Sequence, residues 1–373
     1  MKPQPCNPIS ECDQFLAMSV LQWQSELGRH DLPWQNTHDP YPVWLSEIML
    51  QQTQVVTVLG YFERFLARFS SVAALAQATQ DDVLSVWAGL GYYSRARNLH
   101  CCAQQVIHLH GGIFPQTAQQ LQTLPGIGRS TASAIAALCF GERVAILDGN
   151  VKRVLTRYLG FSADLAQASN ERRLWDTATQ HLPIDGIHQS MVGYTQGMMD
   201  LGATVCTAKT PKCSICPLAS RCVAKQLDQP ECFPVNTKKL KRHAQTLWLL
   251  MATTCEGAVW LNRRPIPGVW AGLHCLPMFE DRLTLQRHLP TNVPIRCSDL
   301  PSVKHVLTHK DLHLNTVQCQ MPHRPLLSIE GRWFDAHELP GLGFPAPIKK
   351  MLNTPALQNT GCPHTHAYKP QIL

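Results

Sequence analysis

At 373 residues the chain is long enough for two domains whose cores need no disulfide support. With 45% apolar and 16% charged residues it is not intrinsically disordered, and no apolar run reaches the ~20 residues that span a bilayer. Thirty-three Lys and Arg against 26 Asp and Glu leave a net charge of +7, which tolerates a polyanionic partner and equally suits an ordinary enzyme. The opening MKPQPCNPISECDQ lacks the apolar stretch of a secretory signal, so the expected location is the cytoplasm, nucleoid-associated in a bacterium, with no membrane partner.

Residues 11–226 read as helix after helix. Apolar residues recur at three- and four-residue spacing through Phe15–Leu27, Val43–Phe69, Asp82–Trp87, Arg95–Leu109, Ser130–Phe140 and Val151–Leu159. Gly and Pro punctuate them, as at Gly89-Leu90-Gly91 and Leu182-Pro183. From 227 to 243, Pro230, Pro234 and the basic run Lys238, Lys239, Lys241, Arg242 read as a linker. Short β-rich runs follow at Thr246–Thr253, Ala258–Asn262, His305–Leu307, Leu312–Val317 and Arg332–Phe334, predicting a smaller α+β domain over 244–352. Residues 353–373 show no periodicity and read as a disordered tail.

Fifteen cysteines in a large, unsignalled chain point to ligation rather than to a disulfide framework. Four of them, Cys206, Cys213, Cys216 and Cys222, fall within 17 residues. Four thiolates can hold one zinc ion or one [4Fe–4S] cluster, and both stay open on spacing, although the spacing is wider than paired zinc knuckles. Most of the others, such as Cys101 and Cys102, read as buried thiols.

Leu124-Pro125-Gly126-Ile127-Gly128 precedes a small-residue helix beginning at Arg129-Ser130. A Pro-Gly-x-Gly turn opening a helix presents backbone N–H groups where a phosphate can sit; between two helices it is a helix–hairpin–helix pattern that grips a DNA backbone without reading bases. Asp148 follows 20 residues after Gly128 in Leu147-Asp148-Gly149-Asn150, at the head of another helical run. An N-cap there satisfies orphan N–H groups and keeps the carboxylate ionised, suited to stabilising a sugar cation. Glu47 is the one charged residue between Asp39 and Glu63, and at helical spacing it shares a face with Gln51 and Gln54. Desolvation raises the pKa of such a carboxyl, as a general acid requires.

These motifs together, with Leu32-Pro33-Trp34, Ser46–Gln54, Gly89–Tyr93 and Arg263-Arg264-Pro265 followed by Gly268–Leu273, resemble adenine DNA glycosylases of the MutY type. The resemblance implies a mainly α helix–hairpin–helix glycosylase fold with a [4Fe–4S] cluster loop, and a Nudix-like α+β C-terminal domain. It implies a monomer acting on double-stranded DNA that carries adenine opposite 8-oxoguanine or guanine. By the same resemblance Glu47, Asp148 and Asn150 are catalytic, and Gln52 and Tyr92 enter the base stack. Gln196 meets the flipped adenine, and Gly126, Gly128 and Ser130 form the DNA-gripping turn. Cys206, Cys213, Cys216 and Cys222 hold the cluster. Related lyases carry a Lys where this chain has Ser130, and a hydroxyl cannot form an imine, so the expected enzyme is monofunctional. The family's Phe-Ser-His lesion-sensing loop is here Leu307-Thr308-His309, keeping a hydroxyl and an imidazole but losing the ring. Only Glu280 and Asp281 precede the next helical run, too few for a metal-dependent Nudix hydrolase. Two alternatives are an endonuclease III-like pyrimidine glycosylase/lyase and a non-catalytic DNA-binding iron–sulfur protein.

Overall fold

A computed structural model describes residues 11–35, 37–184, 187–238, 242–291 and 293–353. The chain divides into two compact units, 1–77 with 98–239, and 78–97 with 240–373. Its helices are α1 (Glu11–Leu27), α2 (Pro40–Leu50), α3 (Val55–Arg68), α4 (Val72–Gln77), α5 (Gln80–Trp87), α6 (Ser94–His110), α7 (Ala118–Leu121), α8 (Arg129–Phe140), α9 (Gly149–Leu159), α10 (Ala168–Gln180), α11 (Ile187–Thr204) and α12 (Val223–Gln226). The tail expected over 353–373 lies, after Asn353, outside the described residues.

In the first unit, α1, α8, α9 and α11 bury one continuous apolar core, which includes Leu16, Val20, Ala137, Val154, Leu155, Met198 and Leu201. Burial of this kind stabilises by roughly 25 cal/mol per Å² of apolar surface. The periodicity through Val43–Phe69 predicts one helix, but the chain breaks it between Leu50 and Val55. Gln52 takes a left-handed φ of 58°, and the Thr53 N–H returns to the Leu50 carbonyl at 3.2 Å. The apolar pattern runs across the break because both helices bury their faces in one interior. The segment expected as a linker packs instead on this unit: Phe233 is buried, the Leu165 N–H donates to the Val235 carbonyl at 3.0 Å, and Thr237 donates to Asp164. Of its basic run, Lys239 and Lys241 lie outside the described residues.

The second unit is a mixed sheet of β1 (His243–Thr254), β2 (Val259–Arg263), β3 (His274–Cys275), β4 (Met278–Phe279), β5 (Arg296–Val306), β6 (Lys310–Met321) and β7 (Arg332–Phe334), with helices α13 (Arg282–Arg287) and α14 (Ala346–Leu352). The order is β3-β2-β1-β6-β5, with β4 against β1 and β7 against β2. β1 and β6 pair in parallel from His243↔Lys310 to Thr254↔Met321, and the other pairs are antiparallel. Leu250, Ala252, Trp260, Val317 and Cys319 fill the core beneath. β5 far exceeds the strand read at His305–Leu307, because its mostly exposed residues carry no alternation. Asp281 caps α13 by accepting from the Thr284 N–H at 2.7 Å, and no acidic residue lies within that helix.

Two cysteine expectations need correcting. Cys101 is exposed while Cys102 is buried, and Cys297 is bonded to Cys319 directly opposite it across β5 and β6. Single-sequence reading cannot see that register.

Candidate active site and cluster loop

Glu47 lies in the last two turns of α2, whose first turn is fixed by Pro40, Pro42 and an N-cap from Asp39 to the Tyr41 N–H at 2.9 Å. Trp44, Leu45, Ile48 and Met49 are buried, which leaves Glu47 on the wall of a cavity of about 980 Å³. Gln51, Gln52 and Gln54 line the same cavity from the break after α2 rather than from one continuous helical face. Gln51 Nε2 donates to Thr131 Oγ1 of α8 at 3.3 Å. Burial, with the charge of Asp148 adding to it, pushes Glu47 up to about 8, so the carboxyl holds its proton at neutral pH.

Asp148 lines the same cavity from the head of α9, and its charge bears on Glu47. Its side chain caps the helix as expected, Oδ1 accepting from the Val151 N–H at 2.8 Å. Its pKa is nevertheless raised: burial outweighs the N–H groups of Val151 and Asn150 and the charges of Arg153 and Lys152. Asn150 is held by Arg153, whose Nη2 donates to Asn150 Oδ1 at 2.8 Å and to the Gly202 carbonyl at 2.6 Å. Gly202 has to be glycine, since a Cβ there would stand 2.6 Å from Asn150 Cβ. Ser130 Oγ accepts from the Leu147 N–H at 3.1 Å, tying the start of α8 to the loop before Asp148. Nearby Lys152 pairs with Glu171.

The turn before α8 is built as expected. Gly126 holds a φ of 78°, with Asn98 Cβ 2.7 Å from where its own Cβ would lie, and Gly128 is the N-cap. Gln196 reaches the cavity wall from α11, donating through Nε2 to Asp200 Oδ1 at 3.0 Å. Asp200 is fully buried and also accepts from Arg29, through Nε at 2.8 Å, Nη2, and the backbone N–H at 3.1 Å. Neither Arg29 nor Asp200 was singled out by sequence reading. Yet Asp200 is the one charged residue in Gln189–Cys206, the same signal that marks Glu47.

Cys206, Cys213, Cys216 and Cys222 line one small pocket with Val205, Pro211, Ala219 and Pro230. Burial, and to a lesser degree the neighbouring thiols, push the Cys216 thiol up to about 11. The four surround the pocket, and among the described residues no three His, Cys, Asp or Glu side chains draw together on a single ion. Four cysteines around one pocket suit the Cys₄ ligand set of a [4Fe–4S] cluster. Arg157 of α9 binds the carbonyls of Thr207 at 2.7 Å and Ala208 at 3.0 Å, with Cys206 Sγ at 3.4 Å.

The remaining expected residues belong to the second unit. Leu307, Thr308 and His309 form the turn joining β5 to β6, closed by the Leu307 N–H on the Lys310 carbonyl at 2.8 Å. Tyr92 lies in the stretch 78–97 that groups with this unit, and its hydroxyl is 2.6 Å from Thr308 Oγ1. Arg97 and Tyr93 hold that stretch by donating to the carbonyls of Ala271 at 2.6 Å and Phe344 at 3.1 Å. Like Gln52, Tyr92 has a left-handed backbone, with φ of 49°.

Comparison with known proteins bears on this arrangement. The HhH-GPD superfamily base excision DNA repair profile matches residues 45–179, the iron–sulfur binding domain of endonuclease III matches 206–222, and a NUDIX domain matches 248–354. An adenine DNA glycosylase from Buchnera aphidicola is 37% identical over 339 residues, covering 89% of this chain and 95% of that protein. The chain belongs to the adenine DNA glycosylase family. The human adenine DNA glycosylase is 42% identical over 222 residues, 57% of this chain and 40% of that one. A solved thermostable thymine-DNA glycosylase superposes with a TM-score of 0.51 at 26% identity, covering 58% of this chain and 97% of that structure. Adenine DNA glycosylases are base-excision N-glycosylases, and this member has the helix–hairpin–helix fold, the Nudix-like domain and a single [4Fe–4S] cluster. No described helix is long and apolar enough to cross a membrane.

Proposed function

We propose that this protein binds double-stranded DNA as a monomer and hydrolyses the N-glycosidic bond of adenine mispaired with 8-oxoguanine or guanine, leaving the strand intact. The observation that carries this reading is that Glu47 and Asp148 line one cavity, where burial and the charge of Asp148 raise the Glu47 carboxyl. Glycosidic cleavage needs an acid at the leaving group and a carboxylate at the sugar. The adenine must leave the base stack to reach them, and the cavity has room for it.

Glu47 gives its proton to a ring nitrogen of the departing base and, once ionised, takes one from the attacking water. Asp148, fixed at the head of α9, stabilises the oxocarbenium-like sugar or bonds to it transiently. Asn150, oriented by Arg153, aligns these groups. Ser130 offers no amine, and its hydroxyl is engaged with the Leu147 N–H, so no Schiff base forms there. Gly126 and Gly128 present N–H groups to a phosphate. Gln52 and Tyr92 enter the stack, while Thr308 and His309 meet the lesion. Cys206, Cys213, Cys216 and Cys222 hold the cluster, which organises the loop against Arg157 and takes no part in the chemistry.

Duplexes carrying A·8-oxoguanine, A·G or thymine glycol, assayed with and without alkali, test this reading. Strand breaks should arise at adenine, and only after alkali. Breaks at thymine glycol without alkali would establish a lyase instead, and binding with no base release would establish a non-catalytic protein.

A further inference from the structure

Asp200 is fully buried behind the cavity lining, and a buried carboxylate is costly unless it is paired and hydrogen-bonded. Its partners are Arg29 and Gln196, both of which line the cavity beside Glu47 and Asp148. A carboxylate only accepts hydrogen bonds, so it admits one of the two amide orientations open to Gln196, the one with Nε2 toward Asp200. Arg29 donates to the same carboxylate through Nε, Nη2 and its backbone N–H and brings the opposite charge. One N–H of Gln196 is thereby spent, leaving Oε1 and the second N–H for whatever occupies the cavity.

An outward acceptor beside an outward donor complements the edge of adenine that carries the N6 amino donor and the N7 acceptor. A 6-oxopurine presents acceptors at both places and would set its O6 against Gln196 Oε1. Resting on the adenine-excision reading above, we propose that Asp200 is a positioning residue that fixes the Gln196 amide and so sets the preference for a 6-aminopurine over a 6-oxopurine. An amide in its place can donate to Gln196 Oε1 and let Gln196 turn over, which reverses the pattern shown to the base.

Single-turnover excision of adenine and of hypoxanthine, each opposite 8-oxoguanine, tests this in wild type, Asp200→Asn, Gln196→Met and the double variant. The adenine-to-hypoxanthine rate ratio should fall about tenfold or more in Asp200→Asn. It should fall as far in Gln196→Met, with no further change when the two are combined, because one residue acts through the other. Loss of a packing partner alone would slow both bases together, so an unchanged ratio in a cooperatively melting Asp200→Asn protein overturns the proposal. If Asp200→Asn does not fold, Gln196→Met still decides: a retained ratio overturns the proposal, and a collapsed one supports it. No adenine release by wild type would instead defeat the functional reading itself.

Discussion

Glu47 and Asp148 line one cavity in the helical unit, each near the end of a helix and buried enough that its pKa rises. Tyr92 and Thr308 in the β-rich unit meet through one hydrogen bond between exposed hydroxyls. In the first arrangement desolvation raises both carboxyl groups above their ordinary values. The second brings together two hydroxyls, either of which can donate or accept. On the proposed function, bond breaking draws on shifted carboxyl groups and lesion reading on hydroxyl geometry, and the two units differ in that way.

The sharpest way to break this contrast is at the acid. Glu47→Gln should bind A·8-oxoguanine duplex as wild type does and lose excision by ~10²–10⁴-fold under single turnover, since the amide cannot protonate the base. The same substitution should alter stability with a definite sign. The folded protein keeps on Glu47 a proton that the unfolded chain releases near 4.5, so stability falls as pH rises from there to about 8. Glu47→Gln should lessen that fall in thermal melts between pH 5 and 8, and an identical pH dependence would show that burial does not hold the proton.

Gly202→Ala should come next. The added methyl meets Asn150, so stability should drop by about 1–3 kcal/mol and excision should slow, with iron per chain unchanged. Wild-type excision with wild-type melting would mean that the head of α9 yields freely. The smallest effect is expected at the turn. Tyr92→Phe removes one neutral hydrogen bond, of about 0.5–1.5 kcal/mol, so the A·8-oxoguanine preference over A·G should fall by no more than roughly tenfold while A·G excision holds. Equal loss on both duplexes would place Tyr92 outside lesion reading. Point changes suit this question better than deletion of the β-rich unit. Leu84 of α5 packs against Gly343, so truncation would strip the surface that covers 78–97.

How much of this the sequence disclosed follows from the range of each interaction. Asp148 capping α9, the limits of β7 and the cysteine spacing are local, and reading neighbours along the chain found them. The break at Gln51–Gln54 was hidden because apolar period continues across it while one residue, Gln52, turns left-handed. The grouping of 78–97 with the sheet depends on carbonyls of Ala271 and Phe344 far along the chain, which no local pattern encodes. The Cys297–Cys319 pairing depends on the β5–β6 register in the same way. Asp200 was legible by the isolation test that found Glu47, but its worth comes only from Arg29 meeting it across 171 positions.

The central claim, that burial in the cavity makes Glu47 a proton donor, is tested most directly by the pH dependence of single-turnover adenine excision from A·8-oxoguanine. The rate should decline as pH rises through about 8, where the buried carboxyl loses its proton. A rate that instead stays flat from pH 6 to 9.5 would mean that Glu47 does not deliver the proton, and would contradict the account.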